Sequence, residues 1–272
     1  MTMLTVGLVQ MCSTNVVAQN IAAASRLIRK AHARGAHFVL TPEMTGLFES
    51  RRAKILALAK PERTDPALKA LRALARELRI WLLIGSLPVQ AGQGKLFNRS
   101  YLAAPSGKIA ARYDKIHMFD VNLSSGQVYR ESKTYRAGKK AAVAKMPFAK
   151  AGLSVCYDLR FPHLYRALAQ KGADILCVPS AFTAPTGKAH WEVLLRARAI
   201  ENGAFVLAPA QAGRHADGRG TYGHSLIVDP WGRVMADAGA KREAVITATL
   251  DLSAAAAARR KIPSLRVQKA VS

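Results

Sequence analysis

Among the side chains of this sequence able to do covalent chemistry, Cys156 has the most suggestive setting. It closes the apolar run Gly152-Leu-Ser-Val and is followed by Tyr157-Asp158-Leu159-Arg160 before a Phe161-Pro162 helix start. A thiol at such a corner projects past a sheet edge among backbone N–H groups, which suits both a nucleophile and the oxyanion it creates. Taken alone it also fits a packing thiol, because free cysteine is among the residue types most often buried. Glu43 stands similarly, after the apolar run His37-Phe-Val-Leu, in Thr41-Pro42-Glu43-Met44. A carboxylate beside a thiol can take its proton when burial raises the carboxyl pKa; a solvated loop glutamate is the plain alternative. Lys115 lies just after the strand-like stretch 108–113, where an ammonium would steady a tetrahedral oxyanion. In so basic a chain, a surface lysine is the simpler reading of that residue by itself.

Interleaved strands and helices are expected to position these groups. Residues 4–11 alternate as a strand, and a helical pattern through Val17, Ile21, Ala24 and Ile28 stops at Gly35. Residues 37–40 and 80–84 read as buried strands, on either side of a helix that starts at Asp65-Pro66 with Asp as cap. A hairpin follows, residues 98–104 and 108–113 about a Pro105-Ser106-Gly107 turn. A strand over 153–156 then ends at the thiol, followed by a helix from about 162, a strand over 174–178 and a helix over 189–201. Strands over 204–208, 223–228 and 244–250 complete the set, with Asp229-Pro230-Trp231-Gly232 as a turn. This alternation predicts an α/β layered fold. No repeat or linker divides the chain, so residues 1–272 are expected to form one domain, with a basic tail from about Arg259.

Composition narrows the functional classes. No apolar stretch approaches the roughly 20 residues that span a bilayer, and residues 1–10 lack the pattern of a signal peptide. Cys12, Cys156 and Cys177 are too few and too scattered for a disulfide framework or a zinc site, which predicts a reducing, cytoplasmic setting and no metal. The 41 Lys and Arg against 17 Asp and Glu give a net charge of +24, which raises the question of a polyanion binder. The charges are dispersed and accompany no nucleic-acid motif, so adaptation of surface charge or steering of an acidic substrate is preferred and no nucleic-acid partner is expected. Cys12 and Cys177 read as packing thiols, His190 and Trp191 as helix packing, and Asp120 and Asp158 as braces for their turns. Tyr222-Gly223-His224-Ser225 lacks the elbow of a serine hydrolase.

The three chemical residues gain weight together, because the blocks around them resemble the nitrilase superfamily of carbon–nitrogen hydrolases, and within it the Nit amidases. The blocks are TPEM (41–44), YDKIHMFDV (113–121), ESKTYRAG (131–138), SVCYDLRFPHL (154–164), VPSAFTAPTGKAHWEVLLRARAIENG (178–203), AQAGRH (210–215) and YGHSLIVDPWG (222–232). The resemblance covers about residues 4–252. It implies a four-layer α-β-β-α sandwich and a catalytic triad of Glu43, Lys115 and Cys156, with Glu131 as a second glutamate that holds the lysine and positions substrate. It further implies that the Tyr157 N–H joins Lys115 in the oxyanion hole, and that Arg160, Phe182 and Thr186 line a pocket for a keto-acid carboxylate. No cofactor is implied. The implied substrate is a small amide bearing a 2-oxo acid or carboxylate: deaminated glutathione, with 2-oxoglutaramate and carbamoyl amino acids as alternatives.

The stretches 197–201 and 210–215 look more like the branch acting on deaminated glutathione, and Arg214 or His215 is a candidate for meeting the peptide end of that substrate. Family resemblance also implies a homodimer or higher homo-oligomer, although this chain ends in a short basic tail where many relatives carry a longer Arg-rich segment. A scaffold that has lost catalysis shares the fold; the intact triad argues against it.

Overall fold

The computed structural model describes residues 3–123, 126 and 128–267. The elements run, in order, β1 (Met3–Gln10), α1 (Val17–Ala33), β2 (Phe38–Leu40), α2 (Arg52–Leu58), α3 (Pro66–Leu78), β3 (Trp81–Gly92), β4 (Lys95–Ala103), β5 (Ile109–Asp114), β6 (Asp120–Asn122) and β7 (Val128–Arg130). They continue as β8 (Ala142–Lys145), β9 (Lys150–Leu153), α4 (Pro162–Gln170), β10 (Ile175–Cys177), α5 (Ala184–Asn202), β11 (Phe205–Ala208), β12 (Ala212–Arg214), β13 (Gly220–Tyr222), β14 (Leu226–Val228), β15 (Val234–Asp237), β16 (Ala244–Asp251) and α6 (Ser253–Lys261). Among the described residues, no helix is long and apolar enough to cross a membrane.

Two six-stranded sheets carry the core, ordered β16-β1-β2-β3-β4-β5 and β15-β14-β11-β10-β9-β8. Each has three parallel strands at its heart, β1-β2-β3 and β9-β10-β11, flanked by antiparallel ones. The period of two along each strand sorts side chains between layers. Leu4, Val6 and Leu8 of β1 and Leu83 of β3 point between the sheets, where they meet Leu153, Ile175 and Val206. Val9 of β1 and Leu82 and Ile84 of β3 point the other way, onto Leu27 and Ile28 of α1 and Leu68 and Leu71 of α3. Helices α4 and α5 cover the second sheet through Leu164, Leu168, Trp191 and Leu195. The result is the α-β-β-α order.

Local signals account for most boundaries. The Asp65 carboxylate accepts from Leu68 N–H at 2.8 Å and Pro66 opens α3, a cap whose loss costs about 1 kcal/mol. Four expectations need correction. The strand before Cys156 ends at Leu153, because β10 stops at Cys177 and Pro179, lacking an N–H, cannot extend the ladder; Cys156 itself opens a 3-10 turn, Cys156–Arg160. Helix α5 starts at Ala184 rather than 189, with Pro185 in its first turn and Thr183 as the preceding residue. Trp191 is buried and its Nε1 donates to the His224 carbonyl at 2.7 Å, whereas His190 on the same helix is exposed. The basic tail divides: Arg259, Arg260 and Lys261 end α6, while residues 268–272 lie outside the described residues.

Candidate active site

Strand direction brings the chemistry to one edge. β5 is antiparallel to β4, which is antiparallel to β3, so β5 runs parallel to β2 and β3. The residues following β2, β5 and β9, namely Glu43, Lys115 and Cys156, therefore leave the C-terminal ends of their strands, the usual edge for sites in α/β folds. Two glycines allow the backbones to close there. A Cβ on Gly85 would stand 2.1 Å from the Thr41 carbonyl oxygen, and one on Gly138 would stand 2.1 Å from that of Asp114. Gly85 N–H donates to Thr41 Oγ1 at 3.1 Å and Gly138 N–H to the Lys115 carbonyl at 2.8 Å, so the segments bearing Glu43 and Lys115 are each pinned by a neighbour with no side chain. Backbone strain marks the same places: Cys156 and Met44, beside Glu43, both adopt left-handed φ, +52° and +56°.

Lys115 is 2% exposed. Its Nζ donates to Glu43 Oε1 at 3.2 Å and to Glu131 Oε1 and Oε2 at 3.0 and 2.8 Å. Burial disfavours its charge, but the Glu131 and Glu43 carboxylates more than offset that and hold the ammonium well above its usual pKa. Glu131 also accepts from Phe119 N–H at 2.7 Å, and Asn98 Nδ2 bridges Glu43 and Glu131 at 2.8 and 3.2 Å. The Cys156 thiol is pushed well above the ordinary cysteine value, first by burial and then by the Glu43 anion, with which it shares a hydrogen bond; Lys115 and the Ala181 N–H act in the opposite sense. The resting thiol is thus neutral, with a carboxylate in reach of its proton.

The turn at Cys156 is tied to the Lys115 segment by one buried carboxylate. Asp158 Oδ1 accepts from His117 N and Nδ1 at 3.0 and 2.7 Å, and Oδ2 accepts from the Tyr113 hydroxyl and Val155 N–H at 2.7 and 2.9 Å. It therefore grips the chain on both sides of Lys115 and immediately before Cys156. Asp120 accepts from Ser132 N–H at 3.0 Å and so braces the 3-10 turn Glu131–Lys133 after β7 rather than its own turn. At the start of the 3-10 turn, Cys156 N–H goes to the Pro179 carbonyl and Asp158 N–H to that of Val155. Among the described residues nothing accepts from Tyr157 N–H, which leaves a donor beside the sulfur.

Glu43, Lys115, Glu131, Cys156, Tyr157, Arg160, Phe182 and Thr186 all line one cavity of about 810 Å³. The Arg160 guanidinium stands 5.4 Å from the Phe182 ring centroid and 5.9 Å from that of Tyr157. Thr186 Oγ1 hydrogen-bonds Thr183 Oγ1 at 2.8 Å. Arg214 and His215 do not line the cavity. His215 is buried, its Nδ1 donating to the Ser13 carbonyl and its Nε2 meeting Thr221 Oγ1, both at 2.8 Å, and burial lowers its pKa, so it is a neutral packing residue. Asp217 and Arg219, on the loop of the same hairpin, face the cavity instead. Those two, with Phe48 and Asn98, are site neighbours that the sequence reading missed; no local pattern distinguishes them. Cys177 is buried and Cys12 half-buried, burial raising the pKa of both. Among the described residues, no cluster of three or more His, Cys, Asp or Glu is gathered to hold a metal ion.

Known proteins resemble this chain along nearly its whole length. A deaminated glutathione amidase from Synechocystis is 43% identical over 262 residues, covering 94% of this chain and 95% of its own. A human omega-amidase is 34% identical over 270 residues, covering 99% and 96%. The crystal structure of the C. elegans NitFhit protein superposes with a TM-score of 0.91 at 35% identity, covering 98% of this chain, which spans 65% of that longer one. The model of the carbon-nitrogen hydrolase family matches residues 5–260, and this chain therefore belongs to the carbon–nitrogen hydrolase family.

Proposed function

We propose that the protein is an amidase that works through a thioester on Cys156. Glu43 takes the thiol proton as the sulfur attacks the amide carbon, and the carbonyl oxygen becomes an oxyanion held by Lys115 Nζ and the Tyr157 N–H. Glu43 returns the proton to the leaving amine as the C–N bond breaks, leaving an acyl thioester. Water then attacks the thioester carbon with Glu43 again as base, releasing the acid and restoring the thiol. Glu131 and Asn98 position the Lys115–Glu43 pair.

One observation supports this assignment above the rest. A neutral, buried thiol, a carboxylate hydrogen-bonded to it and a buried ammonium meet in one cavity, although they lie far apart in sequence. Deaminated glutathione is the proposed substrate, the name carried by the 43% identical relative. Arg160 would pair with the carboxylate of its 2-oxo acid part, Phe182 would pack on the carbon chain and Thr186 would donate a hydroxyl hydrogen bond. The omega-amidase relative makes 2-oxoglutaramate the second reading, since both compounds carry a 2-oxoglutaryl group. We place the enzyme in the cytoplasm, on the strength of its three free thiols, and as a homodimer or larger homo-oligomer. The test is to offer deaminated glutathione, 2-oxoglutaramate and a carbamoyl amino acid to the purified protein and compare kcat/KM. The highest value is expected for the first; a preference for the second overturns the substrate assignment.

A further inference from the structure

Among the described residues, three arginines line the cavity. Arg130 is committed to protein acceptors: its Nη1 donates to the carbonyls of Val121 and Tyr129 at 3.1 and 2.7 Å, and its Nη2 to Asn122 Oδ1 at 2.7 Å. Arg160 is the group assigned above to the acyl-side carboxylate. Arg219 has no part in that reading, yet it is the best prepared anion receptor of the three.

Its preparation comes from two contacts. The Nε of Arg219 donates to Asp217 Oδ2 at 2.9 Å and its backbone N–H to Oδ1 at 3.1 Å. Its guanidinium carbon stands 4.4 Å from the Phe48 ring centroid, and Phe48 is itself buried and stacked on His215 at 3.7 Å. Asp217 is fixed in turn: its side chain is 1% exposed against 33% for Arg219. One edge and one face of the guanidinium are therefore held. Among the described residues, nothing hydrogen-bonds its two terminal nitrogens, which form the edge that matches a carboxylate with two parallel N–H bonds. A fork fixed in this way has already lost the freedom that binding would otherwise remove.

Arg160, whose Nη2 meets His190 Nδ1 at 3.3 Å, and Arg219 also belong to different walls. Arg160 lies on the 3-10 turn of Cys156, whereas Arg219 lies on the β12–β13 loop, against the segment that follows Glu43. We infer that Arg219 receives a carboxylate on the leaving-amine half of the substrate, so that the preferred amides carry an anionic group on each side of the scissile bond. The inference rests on the amidase reading and sharpens it. A leaving group of this class is an amino acid or short peptide with a free C-terminus, and ammonia has nothing to offer Arg219.

The test compares 2-oxoglutaryl-cysteinylglycine with the same compound bearing a C-terminal carboxamide, on the wild-type enzyme, Arg219→Lys and Arg219→Gln. Because Arg219→Gln leaves Asp217 buried without its cation, the Asp217→Asn/Arg219→Gln double variant is run beside it. The wild type is expected to favour the carboxylate by about tenfold or more in kcat/KM, as for loss of a hydrogen bond to a charged group. The glutamine variants should bring that ratio to about one, with Arg219→Lys between. A wild-type ratio near one, or variants that slow both compounds equally and keep the ratio, overturns the inference while the amidase reading stands. A wild-type enzyme that cleaves neither compound removes the inference together with the deaminated-glutathione assignment, and one that also fails on 2-oxoglutaramate and a carbamoyl amino acid removes the amidase reading.

Discussion

The floor and the walls of the cavity are built on opposite plans. On the floor, every charged group is already engaged: Lys115 with Glu43 and Glu131, those carboxylates with Asn98, and the Cys156 thiol with Glu43. On the walls, Arg160 and Arg219 lie against aromatic rings; the outer edge of Arg219 is open to the cavity, and Arg160 has one further contact, from Nη2 to His190 Nδ1 at 3.3 Å. A saturated, water-poor floor keeps its dipoles in place as charge develops and needs no reorganisation during the reaction. Open walls do the reverse, holding donors whose partners arrive with the substrate. The floor should therefore govern kcat and the walls KM, and substitutions can separate the two.

Glu43→Gln is the harshest test of the floor. It removes the proposed base, and kcat should fall by about 10³ to 10⁴-fold. The same change removes an anion that opposes thiolate formation. Burial and Glu43 both raise the Cys156 pKa while Lys115 lowers it, so the variant's thiol should titrate at lower pH than the wild type's. Iodoacetamide alkylation followed against pH reads this directly: in Glu43→Gln the rise in rate should move to lower pH as turnover collapses. A shift to higher pH contradicts the electrostatic picture.

Lys115→Met comes next, with a loss of about 10² to 10³ in kcat for one oxyanion donor. It also strands the buried Glu43 carboxylate and the half-buried one of Glu131, so calorimetry should show a drop in stability of about 3–5 kcal/mol. Asp158→Asn tests whether the floor is positioned from behind. An amide offers one acceptor oxygen where the carboxylate serves four donors, and the resulting displacement between Lys115 and Cys156 should reduce kcat by up to about a hundredfold with a smaller change in KM. The mildest expected effect belongs to the walls: Thr186→Val should raise KM by about tenfold or less and alter kcat little. A kcat defect there as deep as that of Lys115→Met would erase the distinction between floor and wall.

Legibility in the sequence followed the same division. Period-two alternation in β1 and the Asp65-Pro66 cap of α3 are local properties, and the layered fold follows from them. Glu43, Lys115 and Cys156 each carried an ordinary structural reading, and only their surrounding blocks, taken together, singled them out. Asn98 was invisible because its role arises from the register of β4 beside β3 and β5, which sets its amide between two glutamates. Arg219 was missed, and Arg214 and His215 favoured, for a similar reason. Whether a residue on a short hairpin loop faces inward depends on how that loop closes, here through the His215 N–H to the Arg219 carbonyl and the Asp217 side chain. The left-handed backbone at Cys156 and Met44 has no sequence marker, since neither is glycine.

The central claim is a covalent acyl group on one sulfur. Acid quenching of the enzyme during turnover of deaminated glutathione, followed by intact and peptide mass spectrometry, should reveal a 2-oxoglutaryl adduct on Cys156. In Cys156→Ala the adduct should be absent and turnover lower by about 10⁴-fold or more. An adduct on Cys12 or Cys177, or turnover in Cys156→Ala close to that of the wild type, would contradict the account.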